Sequence, residues 1–361
     1  MVGEDKTVGL PDLAVWPLYG VVLGLLALAL MGRFTKAVRR LVVFLLIVVV
    51  LYLLVPQLIG EGRALELLRR ADYVVLAVAV ALEFVALLGY ANLFRHILRV
   101  LDIRAALATM YTIVLAGLAA SHVFGAGGSA GWVVSYNALR KRGVPHGLIF
   151  VAVAAQNFFN YIVLWMLFLA AMVWGLLTGQ LSPWRYSVAL LLIGFFLWLT
   201  GYTVYLYDRR TKMRRRVSQI AGLINRFLHE RRIEQQHIDE WLDHLFAGMR
   251  RMNTHRGAKR LSLTYSCVFW SFDMLCLYLT FIAFGYRIGF SALVLSYVVA
   301  YAVGTLTPTP GGLGAVETLL ITMFLGFGVP SAEATVVVLS YRFINFWLPV
   351  PPGLVGYFFI R

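Results

Sequence analysis

Pro308-Thr-Pro-Gly-Gly-Leu-Gly314 breaks an apolar run, 290–307, that is otherwise suited to lie in a bilayer. A second break, Phe124-Gly-Ala-Gly-Gly-Ser-Ala-Gly131, stops the run 105–124 in the same way. The helical segments that follow, 129–142 and 313–327, are too short to cross about 30 Å of hydrocarbon by themselves. Irregular backbone at membrane depth is tolerated only where protein buries it or where it lines a cavity. The two breaks therefore predict re-entrant, broken-helix hairpins within a polytopic, all-α membrane protein.

The flanking sequence fits that reading. Apolar runs of spanning length occur at 13–32, 41–60, 73–93, 147–175, 182–206 and 263–284, with a less regular seventh at 331–350. Of 361 residues, 61% are apolar and 14% charged, and the mean hydropathy is +0.80. Soluble chains are about half apolar and one-quarter charged. A soluble enzyme, a disordered scaffold and a collagen-like chain are excluded. The net charge of +15 does not point to nucleic acid, because the basic residues cluster between apolar runs. Cys267 and Cys276 share one apolar segment and suggest neither a metal set nor a disulfide framework. No cofactor is expected. Neither a charged n-region nor an Ala-x-Ala site precedes the first run, so a cleavable signal peptide is not expected.

Charge orients the chain. One assignment puts 24 of the 32 basic residues in the cytosol: Arg33 to Arg40, Arg95 to Arg104, Arg140 to Arg142, and the 14 of segment 208–260. It requires 105–142 to enter and leave on one side, which is a second argument for a re-entrant hairpin. The N-terminus falls outside. Segment 208–260 has two readings: an amphipathic helical hairpin on anionic lipid, or a solvated loop that sets orientation. The expected organisation is N-terminal helices over 1–72, a first repeat over 73–207, a basic cytosolic loop over 208–262 and a second repeat over 263–361.

The repeats rest on an internal match. Displaced by 185 residues, positions 125–160 meet 310–345 with nine identities, including Gly143-Val-Pro145 on Gly328-Val-Pro330, Phe158 on Phe343 and Asn160 on Asn345. Chance would give about three or four. With the charge-derived orientation, the two copies enter from opposite sides. Inverted repeats with broken helices are the organisation of secondary transporters, whose sites lie near the midplane.

Pro308-Thr-Pro-Gly-Gly-Leu-Gly-Ala-Val-Glu317 is similar to the Pro-Gly-Gly-x-Gly-x-x-Glu signature of the flippase-like family, which includes the transmembrane region of lysylphosphatidylglycerol synthases, the multiple peptide resistance factors. Gly328-Val-Pro, Leu339-Ser-Tyr-Arg342 and Asn345 match in order and spacing, and the likeness covers roughly 73–360. The resemblance implies an inverted-repeat bundle that moves lipids between leaflets. Where the family's first repeat carries Pro-Gly, an acidic residue and an Arg, this sequence has Gly125, Trp132 and Asn157. The sequence also ends at Arg361, where resistance factors continue into a soluble aminoacyltransferase, so lipid aminoacylation by this chain alone is not expected.

Polar groups inside spans are costly and mark candidate sites. Glu317 sits in a helix's first turn, which reads either as favourable interaction with the helix N-terminus or as a gating carboxylate. Arg342 reads as its ion-pair partner or as a bidentate phosphate ligand. Gly311, Gly312 and Gly314, facing Gly127, Gly128 and Ser129, would free amides for an anionic headgroup. Asn157, Asn160 and Asn345 complete the candidate binding set. Asp273 and Glu83 are candidates for gating or proton coupling, with a buried hydrogen bond as the alternative, and His122 reads as a packing residue. The likeness of the first break to a dinucleotide loop is superficial, because no strand precedes it.

The expected activity is non-enzymatic movement of a phospholipid or polyprenyl-phosphate lipid, anionic or aminoacylated, through a midplane cavity of the cytoplasmic membrane. The alternatives are transport of a small soluble anion, a membrane-embedded lipid-modifying enzyme, and a membrane partner for a separate lipid-synthesising enzyme. Homo-oligomers are compatible with each.

Overall fold

The computed structural model describes residues 61–124, 129–179, 235–307 and 309–360, with the isolated positions 194 and 201. The expected spans 13–32, 41–60 and 182–206 lie outside the described residues, apart from those two positions, as do 208–234. The chain divides into two units, 1–69 and 70–361. Within the first, only the helix α1 (Glu61–Arg70) is described. The account below concerns the second.

Every described element is helical. They are α2 (Tyr73–Val100), α3 (Leu107–Phe124), α4 (Ser129–Arg140), α5 (His146–Leu177), α6 (Gln235–Thr254), α7 (Arg256–Ala283) and α8 (Phe290–Leu306). A 3-10 turn (Pro310–Gly312), α9 (Ala315–Gly326), α10 (Ser331–Arg342), a π turn (Phe343–Trp347) and α11 (Val350–Ile360) follow. Four stretches are long and apolar enough to cross a membrane: Tyr73–Val100, His146–Gly175, Gly257–Ala283 and Ser331–Ile360. The chain is thus a helical membrane protein. The last stretch is the irregular seventh run. Its helix is interrupted by the π turn, where Leu348 N–H reaches back to the Phe343 carbonyl at 3.0 Å.

Local chemistry fixes the helix ends. Asp72 caps α2, its Oδ1 accepting the Val74 and Val75 amides at 2.9 and 3.1 Å. The two Gly-Val-Pro triplets terminate α4 and α9 alike. Gly143 and Gly328 are left-handed, with φ of +77° and +84°. Val144 N–H bonds the Leu139 carbonyl at 3.3 Å, and Val329 N–H bonds that of Phe324 at 3.0 Å. Proline, unable to continue a helix, then precedes the next one. The new helices start at His146 and Ser331, 185 positions apart. Both short helices after the breaks are observed, each of 12 residues, or about 18 Å long.

α2 and α7 lie antiparallel. Asp72 N–H bonds the Ala283 carbonyl at 2.8 Å, Tyr90 packs on Phe269 with ring centroids 5.0 Å apart, and His96 faces Tyr265. Gly89 permits the approach, since a Cβ there would come 2.9 Å from Val268 Cγ1. α3 and α4 form a tight pair across Gly117 and Gly131. A Cβ on Gly131 would lie 2.7 Å from the Gly117 carbonyl oxygen. α3 also packs on α11 through Gly353 and Gly356, and α8 packs on α5.

The basic segment divides differently from expectation. α7 begins at Arg256, so residues 256–262 belong to that helix and not to the loop. α6 is amphipathic, as the spacing predicts, but its apolar face meets protein. Leu242 and Leu245 are buried, and Gly147 and Gly248 let α5 and α6 touch. Over 235–254 the apolar stripe thus meets α5, as in the contact of Phe150 with Trp241, and the first half of the expected hairpin lies outside the described residues.

Candidate functional site

A cavity of about 470 Å³ lies between the broken-helix elements. Its wall includes Ser121 and His122 of α3, Gly131, Trp132 and Ser135 of α4, and Gln156, Asn157 and Tyr161 of α5. Tyr301, Gly304 and Thr305 of α8 and Gly311 and Gly312 of the turn close it. Among the described residues its lining holds no Asp, Glu, Lys or Arg. Gln156 is buried, and its Nε2 has no hydrogen-bond partner among the described residues, which leaves an amide donor at the cavity wall. Asn157 donates to the Val153 carbonyl of its own helix at 2.8 Å. Two of the lining aromatics, Trp132 and Tyr161, are accessible, at 42% and 37%.

Behind the Gly311 turn lies an ion pair. Glu317 Oε2 accepts the Gly314 amide at 2.8 Å, and its Oε1 accepts Arg342 Nε at 2.6 Å. Arg342 is 2% exposed, with Nη2 aimed at the Gly311 carbonyl at 3.4 Å and the guanidinium carbon 4.5 Å from the Phe346 ring centre. The helix-terminus and ion-pair readings of Glu317 and Arg342 are thus both realised, and Arg342 does not line the cavity. His122 stacks on Phe346 at 3.8 Å and its Nδ1 meets the Phe346 carbonyl at 3.0 Å. Gly311, with φ of +54°, is wedged in this packing: a Cβ there would lie 2.4 Å from Phe346 Cε2 and 2.8 Å from His122 Cδ2. The glycine therefore serves packing and a left-handed turn as well as cavity shape. At Gly314 only the backbone matters, with φ of +83° and no neighbour near a Cβ.

A second polar cluster joins α2, α7, α8 and the π turn. Asp273 is fully buried and accepts from Tyr297, from Tyr341 at 2.8 Å and from Asn345 Nδ2 at 2.9 Å. Asn345 Nδ2 also reaches Glu83 Oε1 at 3.2 Å. Tyr301 meets Tyr341 at 2.6 Å and Asn345 Oδ1 at 3.0 Å. Glu83, Asp273 and Asn345, read separately from sequence, thus form one group. Asn160 stands apart: it is buried, and its carbonyl accepts Trp270 Nε1 at 2.9 Å. Gly127 and Gly128 lie outside the described residues, and Ser129 is described only as the first residue of α4. Sequence reasoning missed Gln156 and the three tyrosines. Their signal was modest: Tyr297 and Tyr301 share one helix face in an apolar run, and Gln156 precedes an asparagine already flagged.

A family model described as the lysylphosphatidylglycerol synthase TM region matches residues 40–353. The chain belongs to this family. A UPF0104 membrane protein of Methanothermobacter thermautotrophicus is 27% identical over 312 residues, covering 83% of this chain and 89% of the relative. Another, from Methanocaldococcus jannaschii, is 23% identical over 325 residues, covering 88% and 94%. A phosphatidylglycerol lysyltransferase of Staphylococcus aureus is 28% identical over 90 residues, which is 25% of this chain and 11% of that enzyme.

Proposed function

We propose that the protein moves a phosphate-bearing lipid between leaflets, the headgroup passing through the cavity while the acyl chains remain in the bilayer. The observation that carries this reading is a cavity in a membrane protein whose largely apolar wall, with Phe94, Val114 and Leu118, carries no charge among the described residues and holds the Gln156 amide without a partner among them. A buried donor without an acceptor is costly. A phosphate oxygen would satisfy it, beside the turn at Gly311 and Gly312. The accessible aromatics Trp132 and Tyr161, with the apolar residues of the same wall, suit a lipid and favour it over a small soluble anion. Arg342 acts from behind the turn, holding Glu317 and the Gly311 carbonyl in place.

In this reading the halves are inverted repeats with re-entrant hairpins. The antiparallel packing of α2 and α7, which stand about one repeat apart in sequence, supports it. The protein resides in the cytoplasmic membrane, with the N-terminus external and the basic loop cytosolic. It carries out no covalent chemistry, and its ligands are phospholipids or polyprenyl phosphates.

The test is leaflet exchange in vesicles reconstituted with the full chain. Labelled phospholipid or polyprenyl phosphate exchanges faster than in protein-free vesicles, and Gln156→Leu slows it about tenfold, the effect of one lost hydrogen bond. Uptake of inorganic phosphate without lipid exchange would transfer the reading to a soluble anion. Neither activity, with specific capture of a lipid-synthesising enzyme, would make the protein that enzyme's membrane partner.

A further inference from the structure

The buried cluster beside the cavity contains more acceptors than its hydrogens can serve. Glu83 on α2 and Asp273 on α7 are 2% and 0% exposed, and one atom, Asn345 Nδ2, donates to both, at 3.2 Å to Glu83 Oε1 and 2.9 Å to Asp273 Oδ1. Two buried carboxyl groups drawn to one donor repel each other when both are ionised, and a proton on one of them removes that repulsion. Asp273 is supplied by Tyr297, Tyr341 and Asn345. Glu83 receives only a share of the Asn345 amide, and its Oε2 has no partner.

The tyrosines show the same shortage. Asn345 Oδ1, Tyr301 Oη, Tyr341 Oη and Asp273 Oδ1 form a file with separations of 3.0, 2.6 and 2.8 Å. These three contacts share two hydroxyl protons. With Asp273 ionised, Tyr301 donates to Tyr341 and Tyr341 to Asp273, which leaves Asn345 Oδ1 unserved. A proton on Asp273 reverses the file and fills every contact. Tyr301 lines the cavity, so the file joins the carboxyl pair to the transport path.

We propose that Glu83 and Asp273 share an exchangeable proton, delivered from the cavity through Tyr301 and Tyr341, that couples movement of the headgroup to movement of protons. The coupling rests on the transport reading, whereas the shared proton does not. In the relay Tyr301 Oη accepts a proton from the cavity and passes its own to Tyr341 Oη. Tyr341 passes its proton to Asp273 Oδ1. Only O–H bonds form and break, and the reverse sequence returns the proton. Among the described residues, the other groups acting on the pair are Cys276 from α7, Tyr297 from α8, Arg342 from α10 and Tyr111 from α3. Arg342 is the one cation among them, and Glu317 already engages it.

The test uses the full chain in phosphatidylglycerol vesicles with two readouts. Infrared difference spectra between acidic and alkaline buffer show a protonated-carboxyl band that is lost in Glu83→Gln and retained in Tyr341→Phe. An imposed pH gradient accelerates labelled-lipid exchange severalfold in the wild type, and the acceleration disappears in both variants while thermal stability is kept. A wild type without the band, or a band that survives in both Glu83→Gln and Asp273→Asn, overturns the shared proton. A band together with lipid exchange that ignores the pH gradient, or that follows a sodium gradient instead, overturns the coupling. A band without lipid exchange supports the proton site and removes the transport reading.

Discussion

The helix that opens at Ser129 and the helix that opens at Ala315 have the same length, end in the same Gly-Val-Pro cap and lead into long helices that start 185 positions apart. Their chemistry differs. Where the second segment has Glu317 and Arg342, the first has Trp132 and Asn157. Trp132 and Asn157 line the cavity, whereas Arg342 and most of Glu317 are buried behind it. Among the described residues the backbone also departs where Phe343–Trp347 forms a π turn, while the matching stretch of α5 continues as α-helix. Similar helix ends therefore frame a cavity wall in one segment, and a cavity wall braced by an ion pair in the other.

The largest expected effect tests the brace. Arg342→Leu leaves Glu317 without its cation and should destabilise the protein by about 3–5 kcal/mol, while Arg342→Leu combined with Glu317→Leu should recover most of that loss. Thermal unfolding in detergent measures both. A double variant as unstable as the single one would mean that the guanidinium does more than neutralise Glu317, and Arg342→Lys, which keeps the charge without the planar fork, then reads out the geometric part.

Glycine contacts allow a comparison between the halves. Gly311→Ala forces a Cβ against Phe346 and His122 in a left-handed backbone. Overpacking costs about 1–3 kcal/mol, and the backbone adds about 1–2 kcal/mol. Gly131→Ala meets the Gly117 carbonyl without a backbone penalty and should cost only the overpacking part, about 1–3 kcal/mol. The difference in unfolding temperature between the two variants isolates the strain specific to the Gly311 turn. Equal losses would remove that distinction.

The smallest effect tests the wall. Gln156→Leu deletes a buried donor that has no partner and should stabilise the protein by about 1 kcal/mol even as it slows lipid exchange. A rise of a few degrees in unfolding temperature with lost exchange separates binding from folding. A fall would mean that the amide is satisfied in the membrane-embedded protein.

Much was legible in the sequence because its cause is local. Spans follow from hydropathy over a window, and helix ends from Asp72, from Gly143 and Gly328, and from the prolines that follow them. The match of 125–160 on 310–345 is likewise a property of the sequence, with nine identities where composition gives about three or four. Glu83, Asp273, Glu317, Arg342 and Asn345 were visible as candidates because polar groups are rare in apolar runs. Their partnerships were not visible. Glu83 and Asp273 are 190 positions apart and meet because α2 and α7 pack antiparallel. Arg342 reads in sequence as a phosphate ligand or as an ion pair, and only packing places its guanidinium between Glu317, Gly311 and Phe346. Gln156 and the tyrosines looked like ordinary span residues. A side chain's function in a bundle depends on which helix face opposes it, and that is decided by crossings between distant segments and not by neighbours along the chain.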